Sequence, residues 1–183
     1  MVPAFENTVI FLDFDDTLFP TTWLNLANYK PGDDLDLGML VQKVISLLDL
    51  CVELGTLHSV TNAKMCWLME VTRTFTPELH TKLKTLSIYS CRDNLASSLD
   101  VSSWKTVGFQ ILTSHMRERV GRLNVISIGD DLYELDATIN LGKAFKDRIK
   151  TVKMCPRPPT PWHLSSALSK VLRALEYIVT RDR

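Results

Sequence analysis

Hydrophobic positions along this chain switch repeatedly between two periods. Val9-Ile10-Phe11-Leu12 is a β-branched and aromatic run that ends on acidic residues, the pattern of a buried strand whose C-terminal end opens onto a site. A loop with Pro20, Pro31 and Gly32 follows, and then apolar residues recur at helical spacing: Leu37, Leu40, Val41, Val44, Leu47, Leu48 and Cys51, with Gly55 placed to end the helix. Thr56 to Val60 predicts a second strand, stopped by Thr61-Asn62, and Ala63 to about Arg73 a second helix. Thr76-Pro77-Glu78 has the cap-then-proline signature of a helix start, and Leu86 to Ser90 suits a third strand. Ser103 is placed to cap a helix carrying Val107, Ile111 and Leu112. Val125 to Ile128 predicts a fourth strand ending in Gly129-Asp130-Asp131, and the helix from Leu132 is expected to stop near Leu141-Gly142. Ile149 to Met154 gives a fifth strand, and Thr160-Pro161 opens a last amphipathic helix through Leu164, Leu168, Val171, Leu172, Leu175 and Val179.

Strands that alternate with helices point to an α/β fold with a doubly wound parallel sheet of about five strands in three layers, because every parallel crossover needs a connection long enough to hold a helix. In such sheets ligands bind beyond the carboxyl ends of the strands. The length of 183 residues and a hydrophobic share of 45% suit one domain over residues 1–183, with no repeat, low-complexity segment or linker dividing it.

Charge narrows the function classes. With 21 basic and 21 acidic residues the net charge is zero, and no basic stripe interleaved with aromatics is present, which speaks against nucleic acid and an anionic membrane surface. The first third is acidic and the stretch from Lys143 to Arg183 is basic, as expected if acidic residues gather at a site while basic ones solvate helix faces. Cys51, Cys66, Cys91 and Cys155 form no CxxC pair and lie in apolar stretches, where a thiol acts as a small hydrophobe. No basic leader precedes the first strand, and no run approaches the roughly 18 apolar residues of a membrane span. These features lead us to expect a soluble, cytoplasmic protein.

The candidate chemistry sits at the strand ends. In Asp13-Phe14-Asp15-Asp16-Thr17 the carboxylates of Asp13 and Asp15 project from one side if the chain stays extended, and like charges so close need a positive partner. Mg²⁺ suits that need, since it takes one or two carboxylates and keeps other positions for water and phosphate oxygens. Asp130 and Asp131 supply carboxylates from the fourth strand end, although Asp131 with Glu134 also fits a D-x-x-E capping box, which makes Glu134 and Asp136 structural or supporting. Thr61 and Asn62 stand at a helix start, where backbone N–H groups favour an anion, and Lys105 supplies a cation for phosphate. His58 and His115 are read as structural.

A hydrophobic strand running into Asp13-Phe14-Asp15-Asp16-Thr17-Leu18-Phe19, Thr61 after a second strand, Lys105, and Ile128-Gly129-Asp130-Asp131 after a fourth together resemble the four motifs of the haloacid dehalogenase superfamily, from about Val9 to Ala137. The resemblance implies a Rossmann-like core and a Mg²⁺-dependent phosphatase. Asp13 is then the nucleophile and Asp15 the general acid and base. Asp13, the Asp15 carbonyl and Asp130 hold the metal, while Thr61, Asn62 and Lys105 hold the phosphate. Thr17 steadies the loop, and Asp131 or Glu134 supports the metal. Two departures stand out: Thr106 follows Lys105 where many relatives have proline, and Glu134 takes the place of a second aspartate in the last motif.

Relatives often carry a cap domain after the first motif or the third strand. Here Thr17 to Leu37 is only about twenty residues and 91–102 is shorter still, so no separate cap is expected. The capless form implies a bulky phosphorylated substrate such as a phosphoprotein, or a small one enclosed by homo-oligomer formation. Phe19, Trp23, Leu24 and Tyr29 make the first of these segments apolar, for packing on the core or for a partner.

Overall fold

A computed structural model describes residues 5–181 except 31, 32, 34, 98, 156 and 157, so Pro31 and Gly32 of the first loop lie outside the described residues. The elements run β1 (Thr8–Leu12), α1 (Thr21–Leu26), α2 (Gly38–Leu54), β2 (Thr56–Thr61), α3 (Met65–Phe75), α4 (Pro77–Leu83) and β3 (Ile88–Ser90), then α5 (Cys91–Leu95), α6 (Val101–Val120), β4 (Asn124–Gly129), α7 (Leu132–Phe145), β5 (Arg148–Lys153) and α8 (Pro161–Thr180). All five strands are parallel in the order β3-β2-β1-β4-β5. The chain winds outward from β1 through β2 and β3, then returns to lay β4 and β5 on the other side. The switch point therefore falls between β1 and β4, where crevices form in sheets of this kind.

Side-chain alternation along β1 and β4 builds both faces. Ile10, Leu12, Ile126 and Ile128 pack into one core with α2, α3, α4 and α8. Val9, Phe11 and Val125 point the other way, into a second core with α5, α6 and α7. In that core the Phe11 and Phe109 rings stack at 3.7 Å between centroids. The result is the three-layer, Rossmann-like α/β sandwich expected from the strand and helix pattern. Among the described residues only α1 stands between β1 and α2 and only α5 between β3 and α6, so neither segment folds into a cap. Phe19 and Leu24 are buried, and Trp23 and Tyr29 pack on the same core with their rings 5.0 Å apart, so that apolar stretch serves packing. No helix among the described residues is long and apolar enough to cross a membrane.

Several boundaries differ from the sequence expectations, for physical reasons. Helix α6 is capped by Asp100, not Ser103: the Asp100 carboxylate accepts from the Ser102 N–H at 2.9 Å and the Ser102 hydroxyl at 2.6 Å. Thr76 precedes Pro77 as expected, but its hydroxyl donates to Thr72 O at 3.3 Å instead of capping α4. The third strand is only three residues long. Helix α7 runs past Gly142 to end at Lys146 in the left-handed region (φ 56°), and Gly142 instead gives clearance to Ile149 on β5. Of the four thiols, all without a disulfide, Cys51 and Cys91 are buried and Cys155 half-buried, whereas Cys66 is exposed on α3.

Gly55 follows α2 in extended backbone (φ −175°) and is needed for space: a Cβ there would lie 2.8 Å from both Thr8 O and Thr8 Cγ2. Gly55→Ala is expected to destabilise the fold by about 1–3 kcal/mol, read as a lower urea midpoint at unchanged slope. His58 stacks near Phe11 with Nδ1 buried and without a hydrogen-bond partner, and burial holds its imidazole below the usual 6.5. The unfolded chain then binds a proton that the folded one refuses, so stability is undiminished above pH 6.5 and falls as pH drops below it. His58→Phe is expected to flatten that acid-side fall in urea titrations.

Candidate active site

The carboxyl ends of β1, β2 and β4 surround an open cavity of about 520 Å³. Its lining includes Asp13 and Asp15 after β1, Asn62 after β2, Lys105 from α6, and Asp131 with Glu134 at the start of α7. Of the residues singled out in the sequence, Thr17, Thr61 and Asp130 are buried and do not line it. His58 and His115 also stand outside it.

The loop after β1 explains why two acids meet here. The Asp13 N–H donates to Ile128 O at 3.0 Å, which prolongs the β1/β4 pairing by one bond, and Phe14 turns fully into the core. Asp13 and Asp15 therefore both face the cavity, as the two-residue spacing predicts. The chain then folds sharply back. The Phe14 carbonyl accepts from the N–H groups of Thr17, Leu18 and Phe19, and Asp16 takes a left-handed conformation (φ 55°) that aspartate tolerates better than most residues. The Asp16 carboxylate fixes this turn by accepting from Thr22 N–H at 2.9 Å and the Thr22 hydroxyl at 2.5 Å.

Every site carboxylate has a defined partner. Asp13 is 4% exposed, and its Oδ1 accepts from Lys105 Nζ at 2.5 Å while Oδ2 accepts from the Thr17 hydroxyl at 3.2 Å. Lys105, 3% exposed, also pairs with Glu134 Oε1. Glu134 Oε2 accepts from the Asp131 N–H at 3.1 Å and the Asp131 side chain from the Glu134 N–H, the two bonds of a capping box, while Asp131 Oδ1 also accepts from the Leu132 N–H at 2.6 Å. The side chain of Glu134 reaches Lys105 across Gly129, where any Cβ would lie 2.5 Å from Glu134 Cγ. Asp15 is clamped on both oxygens, by Thr21 Oγ1 at 2.8 Å and Thr61 Oγ1 at 3.0 Å. Thr61 Oγ1 in turn accepts from Ala63 N–H at 2.9 Å.

One buried ammonium thus faces two buried carboxylates. Burial pushes the Asp13 carboxyl up to about 8; Lys105 pulls it down, and Glu134 and Asp15 add to the rise. For Lys105 burial works against the charged form, but Asp13 and Glu134 outweigh it and raise the ammonium above its usual value. Burial also raises Asp15, against the hydrogen bonds from Thr21 and Thr61.

The donor set fits a hard divalent cation. Asp13 and Asp130 both approach the single hydroxyl of Thr17, Asp130 Oδ1 at 3.4 Å and Asp13 Oδ2 at 3.2 Å, so the two carboxylates converge on one small volume. No group of three or more His, Cys, Asp or Glu side chains is gathered as a metal cluster among the described residues. Two carboxylates completed by a backbone carbonyl and water are a composition that suits Mg²⁺ rather than zinc.

Sequence reasoning did not single out Thr21 or Asp16, whose roles come from the back-folded turn, nor Arg92, Lys64, Trp67 and Tyr133, which line the same cavity. Glu134 was read as a helix cap or a support for the metal, and its bond to Lys105 has no signature in local spacing. Comparison of the chain with protein-family models, with curated proteins and with solved structures returns no match.

Lys105→Met is expected to strand the Asp13 and Glu134 carboxylates and cost about 3–5 kcal/mol of stability at neutral pH. Adding Asp13→Asn to that variant should recover part of the loss, a non-additivity measurable as a double-mutant cycle by urea unfolding.

Proposed function

We propose that this chain is a Mg²⁺-dependent phosphomonoester hydrolase of the haloacid dehalogenase type, working through an aspartyl-phosphate. The observation that carries the reading is the pairing of Asp13 and Asp15 in one open cavity, with the buried Lys105 held on Asp13. An Asp13 carboxylate oxygen bonds to phosphorus as the bond to the leaving oxygen breaks, and Asp15 gives that oxygen its proton. A water then attacks phosphorus, Asp15 takes a proton from it, and the acyl-phosphate bond breaks to free Asp13. Asp15 is suited to both steps because burial raises its carboxyl above the ordinary range, though one of its threonine bonds must open to let it reach the leaving group.

Lys105 and Asn62 stand at the cavity wall to receive the non-bridging oxygens, while Thr61 reaches the same region through its bond to Asp15. Asp13, the Asp15 carbonyl and Asp130 would hold Mg²⁺, with Thr17 steadying both carboxylates and Asp131 the adjoining helix start. The bound ion supplies neutralisation of the repulsion between nucleophile and phosphate. Lack of a cap among the described residues leaves the mouth open to a phosphate carried on a larger body, such as a phosphoprotein, or to closure by a second copy. Four thiols without a disulfide suit a reducing compartment such as the cytoplasm.

Wild type is expected to hydrolyse phenyl phosphate with Mg²⁺ and to stop when the ion is chelated, and Asp13→Asn to lose at least about a thousandfold in kcat, as removal of a covalent nucleophile does. Equal rates in the two proteins would remove Asp13 from the chemistry. Tight phosphate-analogue binding without turnover would make the chain a phosphate-binding module.

A further inference from the structure

Three cations line the cavity, and phosphoryl chemistry uses one of them. Lys105 is committed to Asp13 and Glu134, which leaves Arg92 and Lys64 without a part in the reaction as drawn. Arg92 belongs to α5, directly after β3, and is held in two ways: its Nε donates to Asn62 O at 3.1 Å, and its guanidinium carbon lies 5.7 Å from the centroid of the Trp104 ring. Both contacts leave the two terminal nitrogens of the fork as donors, and the ring contact reduces the freedom lost when they bind. Lys64 stands just before the first turn of α3, where the helix dipole adds positive potential. Neither forms an ion pair with a carboxylate among the described residues. Asp93, whose carboxyl feels both charges, uses its Oδ2 on the Met65 N–H at 2.8 Å.

The cavity also exceeds what a phosphoryl group needs. About 520 Å³ falls within the roughly 300–1,000 Å³ of sites that take up a whole small ligand or side chain. Trp67 and Tyr133, both half-buried, give it flat apolar surface. The acids on Asp13, Asp15 and Glu134 would repel a second anion, so such a group has one favourable place, beside Arg92 and Lys64.

We propose that Arg92, assisted by Lys64, forms a second anion subsite, so that the substrate is a phosphomonoester whose leaving group bears a further carboxylate or phosphate on a spacer lying beside Trp67 and Tyr133. This rests on the phosphatase reading of the site. Arg92 is then a specificity-determining residue that acts on the leaving group and takes no part in bond making.

The test compares phenyl phosphate, 4-carboxyphenyl phosphate and 1,4-phenylene bisphosphate in wild type, Arg92→Gln and Lys64→Gln, with Mg²⁺ at low and moderate salt. Wild type should favour at least one of the two doubly anionic compounds by roughly ten- to a hundredfold in kcat/KM, the range of a charge-assisted hydrogen bond. Which of them is favoured tells carboxylate from phosphate. The preference should vanish in Arg92→Gln, shrink in Lys64→Gln and weaken with salt. Equal kcat/KM for all three compounds in wild type, or a preference that survives Arg92→Gln, overturns the subsite. If wild type hydrolyses none of them, the phosphatase reading has failed, and calorimetric binding of the same compounds decides the subsite alone. Tighter binding of a doubly anionic compound that depends on Arg92 supports it, and indifference to the second anion overturns it.

Discussion

The ammonium of Lys105, set between the carboxylates of Asp13 and Glu134 with almost no access to water, is the interaction on which the site depends. Each end of it constrains a different part of the fold. Asp13 must stand one residue past β1, Glu134 must reach over the end of β4 from α7, and α6, packed beside α7 on the same side of the sheet, must deliver a lysine. Gly129 exists in this arrangement because the side chain of Glu134 occupies the space that a Cβ would need. A buried ion pair is seldom a net gain in stability, since desolvation costs several kcal/mol per ion. What it contributes here is placement: three strand and helix ends are held to one geometry around one charge.

The same group of charges explains the electrostatic character of the pocket. Burial is the main reason that the carboxyls of Asp13 and Asp15 stand above their ordinary range, and at Asp13 the neighbouring Glu134 and Asp15 add to it against the pull of Lys105. On the proposed reading, a divalent cation beside Asp13 and Asp130 and a phosphate beside Lys105 and Asn62 would complement each other in charge. Threonines do the local holding. Thr17 bridges two acids, and Thr21 and Thr61 hold both oxygens of Asp15.

Much of this was legible in the sequence. The parallel three-layer sheet followed from the alternation of short apolar runs with helical spacing, and Asp13, Asp15, Asn62, Lys105 and Asp131 do line one cavity at the strand ends. The capping box of Asp131 and Glu134 was visible because it is encoded in four consecutive residues. What stayed hidden depends on contacts far apart in the chain or on backbone turns. Gly55 does end α2 as its position in the sequence says, but the need for glycine there comes from the approach of Thr8 from β1. Ser103 looked like a cap, but Asp100 lies just before it and is an equally good acceptor. Thr21 reaches Asp15 only because Asp16 turns the chain through a left-handed conformation, which no period in the sequence announces. Arg92 gave no signal because its position comes from a backbone carbonyl and an indole ring on other elements.

The most direct test of the account is to look for the covalent intermediate itself. Wild type should be quenched in acid during turnover of an aryl phosphate with Mg²⁺, treated with borohydride, which reduces an acyl phosphate to an alcohol, and sequenced by mass spectrometry. The account predicts homoserine at position 13 and aspartate retained at positions 15, 16, 130 and 131. Turnover that proceeds with Asp13 unmodified, or with the modification at another carboxylate, would contradict it.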